Sequence, residues 1–352
     1  MPTIADCLKQ TSLPRLEAQV LLSYVFGKPR IWLIAHDDEL LDTEACEAFS
    51  NLCKRREAGE PIAYLVGERE FMGLNLKVSP AVLIPRPETE LLVETALKAI
   101  EHQAAPAILD LGTGSGAIAL AIKQARPDAD VWATDIREDA LAIARTNAKC
   151  QGLRLGIDIN FLCGSWFDPL RAQEQRHDTD TNQHIDKSFD KDIEKNLHED
   201  TEKHGDKNVE RIMAPELNPE PSRLTDSIAA SSLSPTGDSA HLTFMTFDAI
   251  VSNPPYIRAG DVHLSTGDLR FEPAHALTDG RDGHDGLEAY RTICAQAGAF
   301  LKSGAQLWFE HGFDQAEAVR DILVQHGFAN IKTLHDLAGH PRVTGGFYNR
   351  VI

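Results

Sequence analysis

Along residues 1 to about 73 the apolar positions recur at three- and four-residue spacings. In PRLEAQVLLSYVFG, Leu16, Val20, Leu21 and Tyr24 would share a helical face, and Gly27 supplies a stop before Pro29. A second segment, DTEACEAFSNLCKRREAG, opens on an Asp-Thr cap region and closes at Gly59. This pattern predicts a small helical N-terminal domain over 1–73. The period then changes. Alternation in LNLKVS predicts a short strand or hairpin, and IPRPETE breaks regular structure twice with proline before the helix ELLVETALKAI. Arg86, Glu88 and Thr89 stand just ahead of that helix, with Thr89 or Glu88 placed to cap it. Residues 74–105 thus form a hairpin, linker and lead-in helix.

From residue 106 strands and helices alternate, the pattern of a parallel sheet covered on both faces. PAILDLG, DVWATD, GIDINFLCG, FDAIVSN, AQLWFEHG, ANIKTLHD and PRVTGGFYNR supply seven strands. Four helices lie between them, GAIALAIKQA, REDALAIARTNAKCQG, GLEAYRTICAQAGAFLK and DQAEAVRDILVQHG. The expected fold is α/β, a seven-stranded doubly wound (Rossmann-like) sheet over 106–352 with the helical domain ahead of it. One stretch, roughly 171–246, interrupts the alternation. It is poor in apolar residues, charged in its first half and rich in Pro and Ser in its second, and it holds 16 acidic and 9 basic residues. Such a composition buries too little surface to offset its ordering entropy, so a disordered insertion is expected there.

Composition narrows the class. The formal net charge of −18 disfavours a protein that grips phosphate backbones, so no stable nucleic-acid partner is expected. The basic run Lys54-Arg55-Arg56 reads as a solvated helix face. No apolar run approaches the roughly 20 residues of a membrane span, and the first residues lack the features of a secretory signal. Cytoplasmic location and no membrane association follow as expectations. Six scattered cysteines without a CxxC pair or a His cluster read as reduced thiols, with no metal site.

The candidate chemistry gathers at two strand ends. ILDLGTGSGAIAL puts Gly112, Gly114 and Gly116 between a strand and a helix, where glycine lets the backbone and the helix's first amides approach a ligand. Asp135, 21 residues after Gly114, ends the next strand and can accept both hydroxyls of a ribose. The spacing G-x-G-x-G, unlike the dinucleotide pattern G-x-G-x-x-G, is the form seen in S-adenosylmethionine-dependent methyltransferases. Asp110 on the preceding strand can attract that ligand's amino group, and Trp166 in GSWFD offers an apolar platform beside its adenine.

The second strand end reads Asn253-Pro254-Pro255-Tyr256. Two prolines stop pairing and hold a carbonyl rigidly. A planar amide or aromatic amine is a poor nucleophile because its lone pair is delocalised. Accepting both its N–H groups on the Asn253 side-chain oxygen and the Pro254 carbonyl would turn that lone pair toward the methyl carbon. Tyr256 can cover the plane and exclude water.

With these motifs in place, the sequence resembles the release factor glutamine methyltransferases (the PrmC/HemK family). The likeness runs from RREAGEPIAYLVGEREFMGLNLKVSPAVLIPRPETE through ILDLGTGSGAIAL, VSNPPYI, RFEP and LWFEHG to RVTGGFY, with the insertion outside it. It implies methyl transfer from S-adenosyl-L-methionine to the side-chain amide nitrogen of the glutamine in the Gly-Gly-Gln motif of class I peptide chain release factors. It implies that Gly112, Thr113, Gly114, Ser115, Gly116, Asp135, Trp166 and Asn253 contact the cofactor. It also implies that Asn253, Pro254, Pro255 and Tyr256 hold the glutamine, while the helical domain helps dock the release factor. Asn-Pro-Pro-Tyr alone also marks ribosomal-protein glutamine methyltransferases and DNA adenine methyltransferases, and a non-catalytic binding protein on the same fold is a further alternative. IPRPETE favours the release-factor branch on the resemblance.

Overall fold

The structure, a computed structural model, describes residues 1–172, 245–281 and 285–349. Most of the expected insertion at 171–246 therefore lies outside the described residues.

Five helices open the chain: α1 (Ile4–Lys9), α2 (Arg15–Phe26), α3 (Arg30–Ala35), α4 (Thr43–Glu57) and α5 (Ile62–Val66). They close on one core that includes Ile4, Leu21, Leu22, Leu33, Leu41 and Phe49. The caps follow the sequence. Asp42 accepts the Ala45 amide at 2.7 Å, and α2 ends at Gly27 in the left-handed conformation. The buried stripe of α2 differs from the predicted one. Ala18, Leu21 and Leu22 face the core, whereas Leu16 and Tyr24 remain more than half exposed. Apolar residues lie on two ridges of this helix, and only the ridge through Ala18 and Leu22 finds a partner. Lys54 and Arg55 are solvated as expected, but Arg56 is drawn inward by Glu17 at 2.7 Å and Asp268 at 2.9 Å.

Strands β1 (Glu68–Phe71) and β2 (Leu74–Lys77) form the expected hairpin, with Met72 and Gly73 both at positive φ in its two-residue turn. Helix α6 (Glu90–Ala99) is entered through a 3₁₀ turn, Pro87–Thr89, and neither Thr89 nor Glu88 caps it. Pro87 starts this turn directly, and the Thr89 side chain is turned toward other partners.

The remaining strands are β3 (Ala107–Leu111), β4 (Asp130–Asp135), β5 (Ile159–Cys163), β6 (Phe247–Ser252), β7 (Leu301–Glu310), β8 (Phe328–His335) and β9 (Pro341–Tyr348). They form one sheet in the order β5-β4-β3-β6-β7-β9-β8, with β9 antiparallel to both its neighbours. The sheet is thus mixed at one edge. Helices α7 (Ala117–Ala125), α8 (Glu138–Cys150), α9 (Ala274–Leu277), α10 (Glu288–Ala297) and α11 (Ala316–Gln325), with 3₁₀ turns at Val262–Ser265 and Gly267–Phe271, complete the described elements. Helix α10 stops earlier than predicted, because Leu301 to Gly304 already belong to β7.

Strand alternation sorts the side chains onto two faces. Ile108, Ala249, Val251 and Trp308 pack with α6 and α7. Leu109, Leu111, Ile250 and Phe309 pack with α10 and α11 on the other face. The chain runs outward from β3 through β4 to β5, then returns to β6 on the opposite side of β3. This reversal puts a crevice at the carboxyl ends of β3 and β6.

The hairpin is joined to this crevice by one buried side chain. Asn147 on α8 accepts the Lys77 amide at 2.6 Å and donates to the Lys77 carbonyl at 3.0 Å and the Ser115 carbonyl at 2.9 Å. Asn147→Ala leaves these groups unpaired, with a predicted loss of about 2–4 kcal/mol of unfolding free energy. A denaturant titration checks this, and a loss near zero would contradict the role.

Candidate functional site

The loop after β3 is built by glycine and supported by a buried acid. Gly112, Gly114 and Gly116 have φ of 74°, 54° and 83°, all left-handed. The Gly112 and Thr113 amides donate to the Thr134 carbonyl at 2.8 and 3.0 Å, which folds the loop over the end of β4. Gly116 serves packing: a Cβ there would press on Ala144 and Leu120 at 3.2 Å. Asp110 lies beneath, wholly buried. Its Oδ2 accepts the Thr113 hydroxyl at 2.6 Å, and its Oδ1 has no hydrogen-bond partner. Burial pushes the Asp110 carboxyl up to about 7 against the opposing Thr113 bond, and the Asp135 charge adds to the rise.

Asp135 closes the other side. One carboxylate oxygen accepts the Gly114 amide at 2.9 Å and the other the Arg137 amide at 2.9 Å. Burial raises its pKa even so. Trp166, itself at positive φ, reaches to 3.5 Å from where a Gly112 Cβ would stand.

At the end of β6 the Ser252 hydroxyl donates to the Leu111 carbonyl at 2.7 Å, tying the corner to the loop. Asn253 turns its Nδ2 toward Thr89 Oγ1 at 3.4 Å. Pro254 is buried. The Tyr256 carbonyl accepts the Gln315 side-chain amide at 2.9 Å, and a Cβ on Gly286 would collide with that same carbonyl oxygen. The Tyr256 ring packs against the core under α10 and α11. Burial, and then the nearby Glu310 charge, hold its phenol well above the usual range.

A cavity of about 520 Å³ joins the two strand ends. It brings together Gly112, Thr113, Gly114, Ser115, Asp135, Trp166, Asn253 and Pro255. Asp110, Gly116, Pro254 and Tyr256 do not line it; they lie behind the lining residues. Residues outside the sequence-based set also contribute: Val82 and Pro85 before the 3₁₀ turn, Thr89 on it, Ile136 after Asp135, and His275 on α9. Ile136 carried a usable signal, an apolar residue directly after the acid at a strand end. His275 carried none.

The linker wall is fixed from behind. Glu272, whose side chain is fully buried, pairs with Arg86 and accepts the Ile84 amide at 3.0 Å. This connects IPRPETE to RFEP. The Tyr64 hydroxyl on α5 donates to the Val82 carbonyl at 2.6 Å, which brings the helical region onto the same wall. Among the described residues no cluster could hold a metal ion, and no helix is long and apolar enough to cross a membrane.

Comparison with known proteins assigns the class and then the family. A profile described as a methyltransferase domain matches residues 102–215, and one described as the PrmC N-terminal domain matches residues 3–67. A release factor glutamine methyltransferase of Bordetella pertussis is 40% identical over 347 residues, covering 99% of this chain and 100% of the relative. One of Burkholderia pseudomallei is 42% identical over 344 residues, covering 98% and 95%. The chain belongs to the release factor glutamine methyltransferase family. A solved structure of a release factor-specific protein-(glutamine-N5) methyltransferase from Alicyclobacillus acidocaldarius overlaps 78% of this chain and 99% of its own, at TM-score 0.36 and 20% identity.

Asp110 yields a pH prediction. Its folded pKa near 7 exceeds the ordinary carboxylate value, so the folded chain holds the proton more tightly. The resulting stabilisation is complete below the unfolded pKa and is lost as pH rises through about 7. Asp110→Asn does not titrate. Its melting temperature relative to the parent is therefore expected to rise from pH 5 to pH 8; an unchanged difference would show that the buried carboxyl does not titrate as described.

Proposed function

We propose that this chain methylates the side-chain amide nitrogen of the glutamine in the Gly-Gly-Gln motif of class I peptide release factors, with S-adenosylmethionine as methyl donor. The observation that supports this most directly is the shared cavity: Asn253 and Pro255 stand in one wall with Gly112 to Ser115 and Asp135. The residues present fit the donor. Gly112 leaves room that a side chain would fill, Asp135 is an acid beside the loop, and the unpartnered Asp110 Oδ1 lies under it. Asp135 would take the ribose hydroxyls, Trp166 and Ile136 the adenine, and the loop amides with Asp110 the amino-acid end.

When bound, the donor supplies an electrophilic methyl carbon on a sulfonium. This chain's own contribution is to place and polarise the acceptor. The Asn253 oxygen and the Pro254 carbonyl would accept the two amide N–H bonds, which turns the nitrogen lone pair toward the methyl and favours charge on that nitrogen. Tyr256 would exclude water from behind this pair, with its ring in the core and its carbonyl held by Gln315. Location in the cytoplasm accords with a substrate that acts on ribosomes.

Incubation with methyl-labelled donor and a class I release factor, beside its Gln→Ala version at that motif, tests the reading. Label is expected on the parent factor alone, and equal labelling would overturn the assignment. Asn253→Ala is expected to lower kcat by roughly 10²-fold or more. Donor affinity, measured by equilibrium binding, should stay within about threefold, because the amide contact acts on the acceptor.

A further inference from the structure

We propose that Thr89 and Glu310 are positioning residues that hold the Asn253 amide with its nitrogen turned into the protein and its oxygen toward the cavity. The inference rests on the acceptor-holding role proposed for Asn253, which requires an oxygen at that point. An asparagine amide has nearly the same shape either way round, so something must choose between its two faces.

The chain supplies that choice from two distant segments. Asn253 Nδ2 donates toward Thr89 Oγ1 at 3.4 Å. Thr89 is buried on the 3₁₀ turn ahead of α6. Ser252 pairs with Phe309 in the parallel register of β6 and β7, so Asn253 and Glu310 are the next residues along neighbouring strands. Glu310 is 2% exposed, and its Oε2 has no hydrogen-bond partner. The Thr89 hydroxyl and the Asn253 amide both face this carboxyl and oppose the rise that burial gives its pKa.

The logic is one of proton direction. A hydroxyl has one proton to give. An ionised Glu310 can only accept, so the Thr89 hydroxyl that faces it gives it that proton, and Oγ1 is left to accept on its other side. Asn253 must then present N–H to it. The second N–H of the same nitrogen has the open Glu310 Oε2 as its natural acceptor. Turning the amide over would set the Asn253 oxygen against two acceptors, so the productive orientation is the only one without an oxygen–oxygen clash. Oxygen and nitrogen leave the same carbon in different directions, so fixing the nitrogen inward aims the oxygen outward.

Four variants and one control, assayed with a class I release factor and S-adenosylmethionine, test this. Thr89→Val and Glu310→Leu remove the hydroxyl and the acceptor; each is expected to lower kcat roughly 10-fold or more with the donor dissociation constant unchanged. Thr89→Ser and Glu310→Gln retain a hydroxyl and an acceptor oxygen, and each is expected to recover most of that loss. Melting temperatures separate orientation from folding, since a kcat loss in a variant that stays fully folded at the assay temperature comes from orientation. Unchanged kcat in Thr89→Val and Glu310→Leu, or losses equally large in the Ser and Gln variants, would overturn the inference. Asn253→Ala is the control. If it lowers kcat while the Val and Leu variants do not, only the positioning role fails. If it keeps full turnover, the acceptor-holding role of Asn253 fails, and this inference with it.

Discussion

The parallel pairing of β3 with β6 is the constraint on which the site depends. Asp110 pairs with Val251 and Leu111 with Ser252, so both strands end at the same level. The bond from the Ser252 hydroxyl to the Leu111 carbonyl locks that level from within the core. A slip of one residue would exchange the faces of every side chain on β6 and send Ala249 and Val251 to the wrong core. The two apolar cores therefore set where the glycine loop and the Asn253 corner stand relative to each other. Placement of the two walls of the cavity is a consequence of sheet register, reinforced by that one bond.

The same arrangement explains why two acids are buried at a cost. Asp110 is next to last in β3 and Glu310 is last in β7, with β6 between them, and burial pushes both carboxyls up to about 7. Each has one oxygen without a hydrogen-bond partner. A fold selected for stability alone would place Leu or Asn at such positions. Both acids instead stand behind a loop or corner that lines the cavity: Asp110 behind Thr113, Glu310 behind Asn253. The destabilisation is concentrated where polarity is needed, as at other sites where function and local stability conflict.

Much of this was legible in the sequence because the signals were local. The G-x-G-x-G spacing between a strand and a helix located the loop, and Asp135 followed from the end of the next strand. Pro254 and Pro255 marked the end of β6 because proline cannot continue a ladder. What the sequence hid was contact between distant segments. Asn147, which joins β2 to the glycine loop, sits in a helix as an ordinary polar residue. Thr89 looked like a cap for α6, since a threonine ahead of a helix usually is one. Its hydroxyl oxygen instead accepts from the Asn253 side-chain amide, 164 residues along the chain. The exposed Leu16 and Tyr24 were misjudged for the same reason: periodicity tells that a ridge is apolar, and only the fold tells which ridge is covered.

The linker joins these separate pieces. Arg86 pairs with Glu272, Glu272 also takes the Ile84 amide, and Thr89 reaches Asn253 from the same short stretch. Arg56 on α4 holds Asp268, four residues before Glu272, and the Arg270 guanidinium meets the Ala58 carbonyl at the end of α4. The segment after the Asn253 corner is thus fastened both to the linker and to the helical region. The hairpin that follows α5 is likewise fastened to the glycine loop through Asn147, so the helical region is tied by side chains to both walls of the cavity.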